Sequence, residues 1–235
     1  MTRPRPSTTT PRRAVPRDPA TAAARPARRT QLLTAGLVAL VILGLFFAFG
    51  SGQSQTSSAV GNKAFQVGQP GPGQPAPPFT LPSSTGKTIS LADYRGKNVL
   101  LFFQEGIGCQ PCWDQIRDLE KSQSQLTAAG IDAIVSVTTS PVDLVAQKTR
   151  DDRLRTPVAS DADLGVSRAY HANDYGMMGD SRDGHSFVLV GPDGAIRWRA
   201  DYGGAPNYTM FLPVDRILAD MRAAMTTRAA SPGSP

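Results

Sequence analysis

A chain of 235 residues has room for one domain of ordinary size plus accessory segments, and a single core is expected. Its formal charge of +6 suggests a nucleic-acid partner until it is divided: residues 1–30 carry eight Arg and one Asp, a net +7, so +6 minus +7 leaves −1 for the remainder. Basicity confined to a Pro-, Ala- and Thr-rich tail provides no folded phosphate-binding face, and no nucleic-acid partner is expected.

Taken in chain order, residues 1–30 are expected to be a disordered, basic, cytoplasmic tail. Residues 32–49 (LLTAGLVALVILGLFFAF) then run without a charge, with Arg28 and Arg29 just before them. At about 1.5 Å rise per residue such a helix spans roughly 27 Å, close to the hydrocarbon thickness of a bilayer, so residues 31–50 are predicted to be one transmembrane helix. The arginine bias puts the tail inside and everything after Gly50 outside. That describes a single-pass cell-membrane protein, anchored in lipid, with an extracytoplasmic C-terminal domain. A cleaved signal peptide is the competing reading, because Ala48-Phe49-Gly50 before Ser51 is a passable cleavage site. Secretory apolar cores, at about 7 to 15 residues, are shorter than this one, which favours retention.

Residues 51–77, rich in Gly, Ser, Gln and Pro, read as a flexible linker that cannot bury enough to fold alone. The folded domain is expected over residues 78–226, followed by a disordered tail over residues 227–235. Inside it, residues 79–81 and 88–91 look like short strands joined across Ser83-Ser84-Thr85-Gly86. Residues 99–103 (VLLFF) form a continuous apolar run, as expected of a central parallel strand covered on both faces. After a loop over residues 104–108, Cys112, Ile116, Leu119 and Leu126 keep helical spacing, and residues 133–137 (AIVSV) make a second buried strand. Weaker helical stretches follow near residues 142–150 and 162–171, with Pro157 and Val158 extended between them. Residues 186–190 and 195–200 form a hairpin about the turn Gly191-Pro192-Asp193-Gly194, with Ile196 and Trp198 facing one way and Arg197 and Arg199 the other. A closing helix starts at Pro213 and sets Val214, Ile217, Leu218 and Met221 on one stripe. This order describes an α/β domain with a mixed central sheet.

The chain has two cysteines, in Cys109-Gln110-Pro111-Cys112, directly after a central strand and at the start of an amphipathic helix. The first backbone N–H groups of a helix have no intrahelical partner and the macrodipole is positive there, so a thiolate is stabilised. Cys109 is therefore expected to be the low-pKa attacking thiol, and Cys112, one turn on, the resolving one. Pro111 fits the first turn, where a missing N–H costs nothing. The expected chemistry is thiol–disulfide exchange through a mixed disulfide, with the direction of electron flow open. A c-type haem site would need His after the second cysteine, where Trp113 stands. Zinc would need His171 and His185 without any finger spacing, so no metal is expected. A purely structural disulfide is the bland alternative, weakened because so small a loop restricts the unfolded chain little.

Residues 76–81 (APPFTL), Tyr94-Arg95-Gly96-Lys97, the VLLFF strand, the cysteine pair, and residues 187–190 (FVLV) followed by Asp193-Gly194 together resemble the redoxin group. That group joins the alkyl hydroperoxide reductase and thiol-specific antioxidant proteins, or peroxiredoxins, with membrane-anchored thioredoxin-like reductases of the cell envelope. The resemblance implies a thioredoxin-like fold, with Gly184 and His185 opposite the cysteines. A backbone there would pair with a substrate strand, Gly184 allowing close approach. His185 is a candidate to modulate the thiol or shuttle a proton, or simply a polar residue entering a strand. Glu105 is a candidate proton acceptor or an ordinary loop carboxylate, Gln110 and Pro111 tune the pair, Trp113 packs beside it, and His171 reads as a solvated helix residue. Two departures stand out. Peroxiredoxins place Pro and a hydroxyl residue seven and three positions before the peroxidatic cysteine, where Phe102 and Gly106 precede Cys109. They also tend to carry Arg three positions before the later Phe, and thioredoxins a cis-Pro at that place, where Gly184 stands.

The leading expectation is an enzyme exchanging disulfides of exported proteins in the cell envelope, recharged by a membrane thiol carrier and needing no cofactor. A peroxiredoxin-like thiol peroxidase is the alternative, and an anchored, non-enzymatic binding module with a structural disulfide is the third reading.

Overall fold

The structure, a computed structural model, describes residues 65–230. The predicted membrane helix, the basic tail and the first part of the linker lie outside these residues. Among the described residues, no helix is long and apolar enough to cross a membrane.

Two short strands, β1 (Thr80–Pro82) and β2 (Thr88–Ser90), pair antiparallel as a separate unit. The main sheet contains β3 (Val99–Gln104), β4 (Ala133–Thr138), β5 (Val158–Ser160), β6 (Ser186–Val190) and β7 (Ile196–Asp201), in the spatial order β5-β4-β3-β6-β7. The first three run parallel and the last two antiparallel, which makes the sheet mixed. The helices are α1 (Gln110–Lys121), α2 (Gln123–Ala128), α3 (Val142–Asp151), α4 (Gly165–Ala169) and α5 (Val214–Ala230).

An apolar run such as VLLFF is stable only where both faces of the strand are covered, and the sheet provides this. Leu100 and Phe102 join Phe187 and Leu189 against Cys112, Trp113, Ile116 and Leu119 of α1 and the stripe Val214, Ile217, Leu218, Met221 of α5. Val99, Leu101 and Phe103 face the other way, onto Phe79, Leu81, Ile89 and Tyr170. Each such side chain withdrawn from water contributes roughly 2 kcal/mol, so β3 anchors both layers and holds its C-terminal end in place. The cysteines follow directly from that end.

Four expectations are corrected. The ordered chain starts well before Pro78: residues 65–77 form a strap along β7, with Gln66 bridging to Asp201, Gly73 N donating to Ile196 O and Ala76 N to Gly194 O. The strap covers the sheet's open edge, a use of Gly- and Pro-rich sequence that composition alone does not reveal. At the other end α5 continues to Ala230, so residues 227–230 are helical rather than a disordered tail. The helical stretch expected over residues 162–171 shortens to α4, because Asp161 turns the chain by accepting from Val166 N and Ser167 N. Finally, Ile196 and Trp198 lie on opposite faces of the sheet, since the register shifts between Leu189 and Val190 and Arg197 bulges outward. Arg199 is consequently buried, paired with buried Asp201 through Nε–Oδ2 at 2.8 Å and Nη2–Oδ1 at 2.9 Å. The pair also grips the strap, taking Gly68 N onto Asp201 Oδ2 and donating from Arg199 Nη1 to Gln69 O.

Candidate active site

The loop leaving β3 makes a sharp turn at Gly106, whose φ of +103° is strained for any side chain. A Cβ there would stand 2.0 Å from Ser140 Oγ, so only glycine fits. Ser140 Oγ accepts from Ile107 N at 3.0 Å, Gln104 Oε1 accepts from Gly106 N, and the Trp113 indole donates to Gly106 O at 3.1 Å. These bonds fix the loop from three sides.

Cys109 caps α1. Its Sγ accepts from Cys112 N at 3.3 Å, and the two sulfurs are joined in a disulfide with Cα atoms 5.3 Å apart. Cys109 is 7% exposed and Cys112 fully buried, which is the asymmetry expected of an outer, attacking sulfur and an inner, resolving one. On reduction the Cys109 sulfur would lie against the Cys112 N–H at the positive end of α1.

The other candidates divide by position. Gln110 and Pro111 are exposed on the first turn, Gln110 Nε2 donating to Asp114 Oδ1 at 3.0 Å. Trp113 is fully buried, with Lys148 Nζ 5.7 Å from its ring centroid, so it supports the loop from below rather than meeting solvent. Glu105 is buried as well, its Oε1 accepting from Met177 N at 3.2 Å. Gly184 does approach another backbone closely, but that backbone is the chain's own: a Cβ at Gly184 would stand 1.8 Å from Tyr175 O. Its N–H is taken by Ala172 O. His185 is fully buried on the α1 side of β6, its ring edge-on to Phe102 at 4.7 Å, and its Nε2 lies 3.2 Å from Gln115 Oε1. Burial pulls its pKa down to about 3, so the imidazole is neutral at working pH. His171 is exposed and lies 3.1 Å from Asp174 Oδ2, away from the cysteines.

Sequence reasoning missed several residues around the pair. Gln115 stands three residues after Cys112 and falls on the buried stripe of α1, where a polar side chain among Cys112, Ile116 and Leu119 is itself a signal. Arg182 comes from a distant loop: its Nη1 donates to Glu105 O at 3.4 Å and would lie 4.0 Å from a Cβ on Gly108. A guanidinium therefore sits beside the residue that precedes Cys109. Met177 and Met178, 52% and 58% exposed, belong to the same segment of chain. Next to Gly184, the buried Asp183 carboxyl is pushed well above the usual carboxylate range, by burial first and by Asp161 in addition. A cavity of about 350 Å³ lined by Phe79, Tyr94 and Val99 lies at the opposite end of β3 and takes no part in the thiol chemistry. Among the described residues no cluster of three or more His, Cys, Asp or Glu forms a metal site.

A protein-family model described as the AhpC/TSA family matches residues 72–199, more than half of the chain. The chain is 34% identical over 130 residues to a putative peroxiredoxin of Mycobacterium tuberculosis, covering 53% of this chain and 81% of that protein. It is 27% identical over 127 residues to peroxiredoxin Bcp of Escherichia coli, with the same coverage of each. Among solved structures, peroxidoxin BcpB from Mycobacterium tuberculosis superposes with a TM-score of 0.54 at 21% identity, over 65% of this chain and 96% of the other. AhpC of the same organism gives 0.54 at 17% identity, over 69% and 96%. At such identities the two structures establish the shared fold alone.

Proposed function

This chain belongs to the AhpC/TSA family and is a thiol-based oxidoreductase, and from that premise we propose that it is a two-cysteine thiol peroxidase in which Cys109 reacts with the hydroperoxide and Cys112 resolves it. The observation that carries this reading is the near-complete burial of Cys109 at the front of α1. A cysteine 7% exposed, at a helix front and beside the loop that holds Arg182 and Met177, admits a small oxidant more readily than the disulfide of a folded protein. In the first step the Cys109 thiolate attacks the peroxide's outer oxygen, forming a sulfenic acid and releasing an alcohol or water. Cys112 then displaces the hydroxyl as water and closes the disulfide, which two electrons from a thiol reductant reopen. The relatives thus reverse the order in which the sequence alone ranks hydroperoxides and protein disulfides.

One specific observation favours exchange with protein disulfides as a second reading. Neither Phe102 nor Gly106 supplies the proline and hydroxyl that peroxiredoxins place before their reacting cysteine. The reduced full chain, offered hydrogen peroxide and a protein disulfide in parallel, separates the two. Rapid peroxide consumption is expected, lost in Cys109→Ser and leaving a trappable sulfenic acid on Cys109 in Cys112→Ser. Peroxide consumed no faster than by free cysteine, together with rapid reduction of the protein disulfide, establishes the second reading instead. Inertness to both leaves a structural disulfide.

Retention of residues 31–50 as an anchor, with the domain outside the cytoplasm and a membrane thiol carrier as electron donor, is likewise our proposal. Its support is the uncharged run after Arg28 and Arg29. Detergent-free fractionation tests it: the chain is expected in the membrane pellet, whereas a soluble product starting near Ser51 means cleavage.

A further inference from the structure

The layer between β6 and α1 holds a buried polar group that the two-step cycle above leaves unused. Gln115 Oε1 accepts from Leu212 N at 2.8 Å, and a backbone N–H can only donate, so the amide atom at that position is the oxygen. The same oxygen lies 3.2 Å from His185 Nε2. Two facing atoms need one proton between them, and an amide oxygen carries none. His185 is therefore the tautomer protonated at Nε2, which leaves Nδ1 as a bare acceptor. That Nδ1 is buried and has no hydrogen-bond partner while the cysteines are oxidised. A buried acceptor without a partner calls for an explanation, and a donor that appears in another redox state of the protein would supply one.

The redox cycle supplies one. Cys112 is fully buried on the inner face of α1, one turn before Gln115, and packs in the same cluster as Phe102 and Phe187. Those two rings flank the His185 ring edge-on at 4.7 and 5.3 Å. As a disulfide, Cys112 has no proton to offer; as a thiol it has a donor in this layer. Resting on the two-cysteine reading above, we infer that His185 Nδ1 accepts a hydrogen bond from the reduced Cys112 thiol and, staying neutral, orients that sulfur for the resolving step. Cys112 Sγ bonds to Cys109 Sγ, the bond from Cys109 to its adduct breaks, and the electron pair leaves with the adduct. The thiol proton leaves with the adduct, as water from a sulfenic acid or as a thiol from a mixed disulfide. Gln115 is the positioning residue, since its oxygen fixes the tautomer on which the acceptor depends.

The chain has two histidines, so ¹⁵N-histidine labelling of the full chain gives a readable spectrum, with exposed His171 as internal control. Reduction by a chemical reductant is expected to shift the His185 Nδ1 resonance in the direction of an accepted hydrogen bond and to leave His171 unmoved. The measurement needs no substrate, so it stands apart from the choice between peroxide and disulfide. In stopped flow, His185→Phe is expected to slow closure of the disulfide by about tenfold, while the attack by Cys109 keeps its rate. His185→Asn, which keeps an acceptor near the Nδ1 position, is expected to recover part of the loss. An Nδ1 resonance identical in the two redox states overturns the inference, and so does a folded His185→Phe variant that closes its disulfide at the wild-type rate.

Discussion

In the proposed cycle Arg182 and His185 would act on the same cysteine pair by opposite means, one through its charge and the other as a neutral acceptor. The Arg182 guanidinium lies against the Glu105 carbonyl and close to Gly108, so a Cys109 thiolate would gain from its field in addition to that of the α1 terminus. Arg182→Ala is expected to raise the Cys109 thiol pKa by about one unit, read from the pH dependence of alkylation in the reduced protein. An unchanged profile would assign the whole effect to the helix. His185 has a consequence for stability. Its folded pKa of about 3 lies below the usual imidazole value of about 6.5, so between those limits the unfolded chain binds a proton that the folded one refuses. Stability from this group is therefore present above pH 6.5 and falls by up to about 1.4 kcal/mol for each pH unit below it. Asp183 carries the opposite sign, because its carboxyl is raised, and its contribution is lost as pH rises. The difference between wild type and His185→Phe in urea unfolding at pH 7, 6 and 5 isolates the imidazole, and the variant is expected to show the shallower acid loss.

At the level of elements, the loop between β3 and α1 determines where the sulfurs point, and Gly106 is its most constrained position. Gly106→Ala adds a Cβ into Ser140 Oγ and Thr138 Oγ1 at a positive φ, so a loss of about 2 kcal/mol or more is expected in denaturant unfolding. A neutral result would mean that the loop has a second, equally good path. The strands beside this loop were legible because apolar runs and turn residues report directly on burial and reversal, as residues 99–103 and Gly191-Pro192-Asp193-Gly194 do. The stripe of α5 was legible for the same reason: Val214, Ile217, Leu218 and Met221 are all buried. Arg182 was not legible, because it reaches the site by tertiary contact from a loop without periodicity. Nor was the bulge at Arg197, which a strict two-residue alternation cannot anticipate. The position of the cysteine pair could be read from sequence because it is a local feature, the front of an amphipathic helix directly after a buried strand.

For the molecule as a whole, the strap makes the strength of the domain depend on sequence that looks like linker. It shields the outer edge of β7 and contributes Gly68 N and Gln69 O to a buried ion pair. Removing it would expose the unpaired backbone of an edge strand and admit water to Arg199 and Asp201, whose partners would then be incomplete. A chain starting at residue 65 is therefore expected to unfold at the same urea concentration as the longer one. A chain starting at residue 78, with the cysteines intact, is expected to lose several kcal/mol, roughly the cost of opening a buried ion pair, and to self-associate through β7. Asp201→Asn separates the two causes. It leaves the strap in place but removes the counter-charge of Arg199, so a loss of about 3 kcal/mol without self-association assigns the stability to the ion pair and the solubility to edge coverage. Equal stability of the chains starting at residues 65 and 78 would show that the strap only lies on the sheet, and that the domain begins where its composition first suggests.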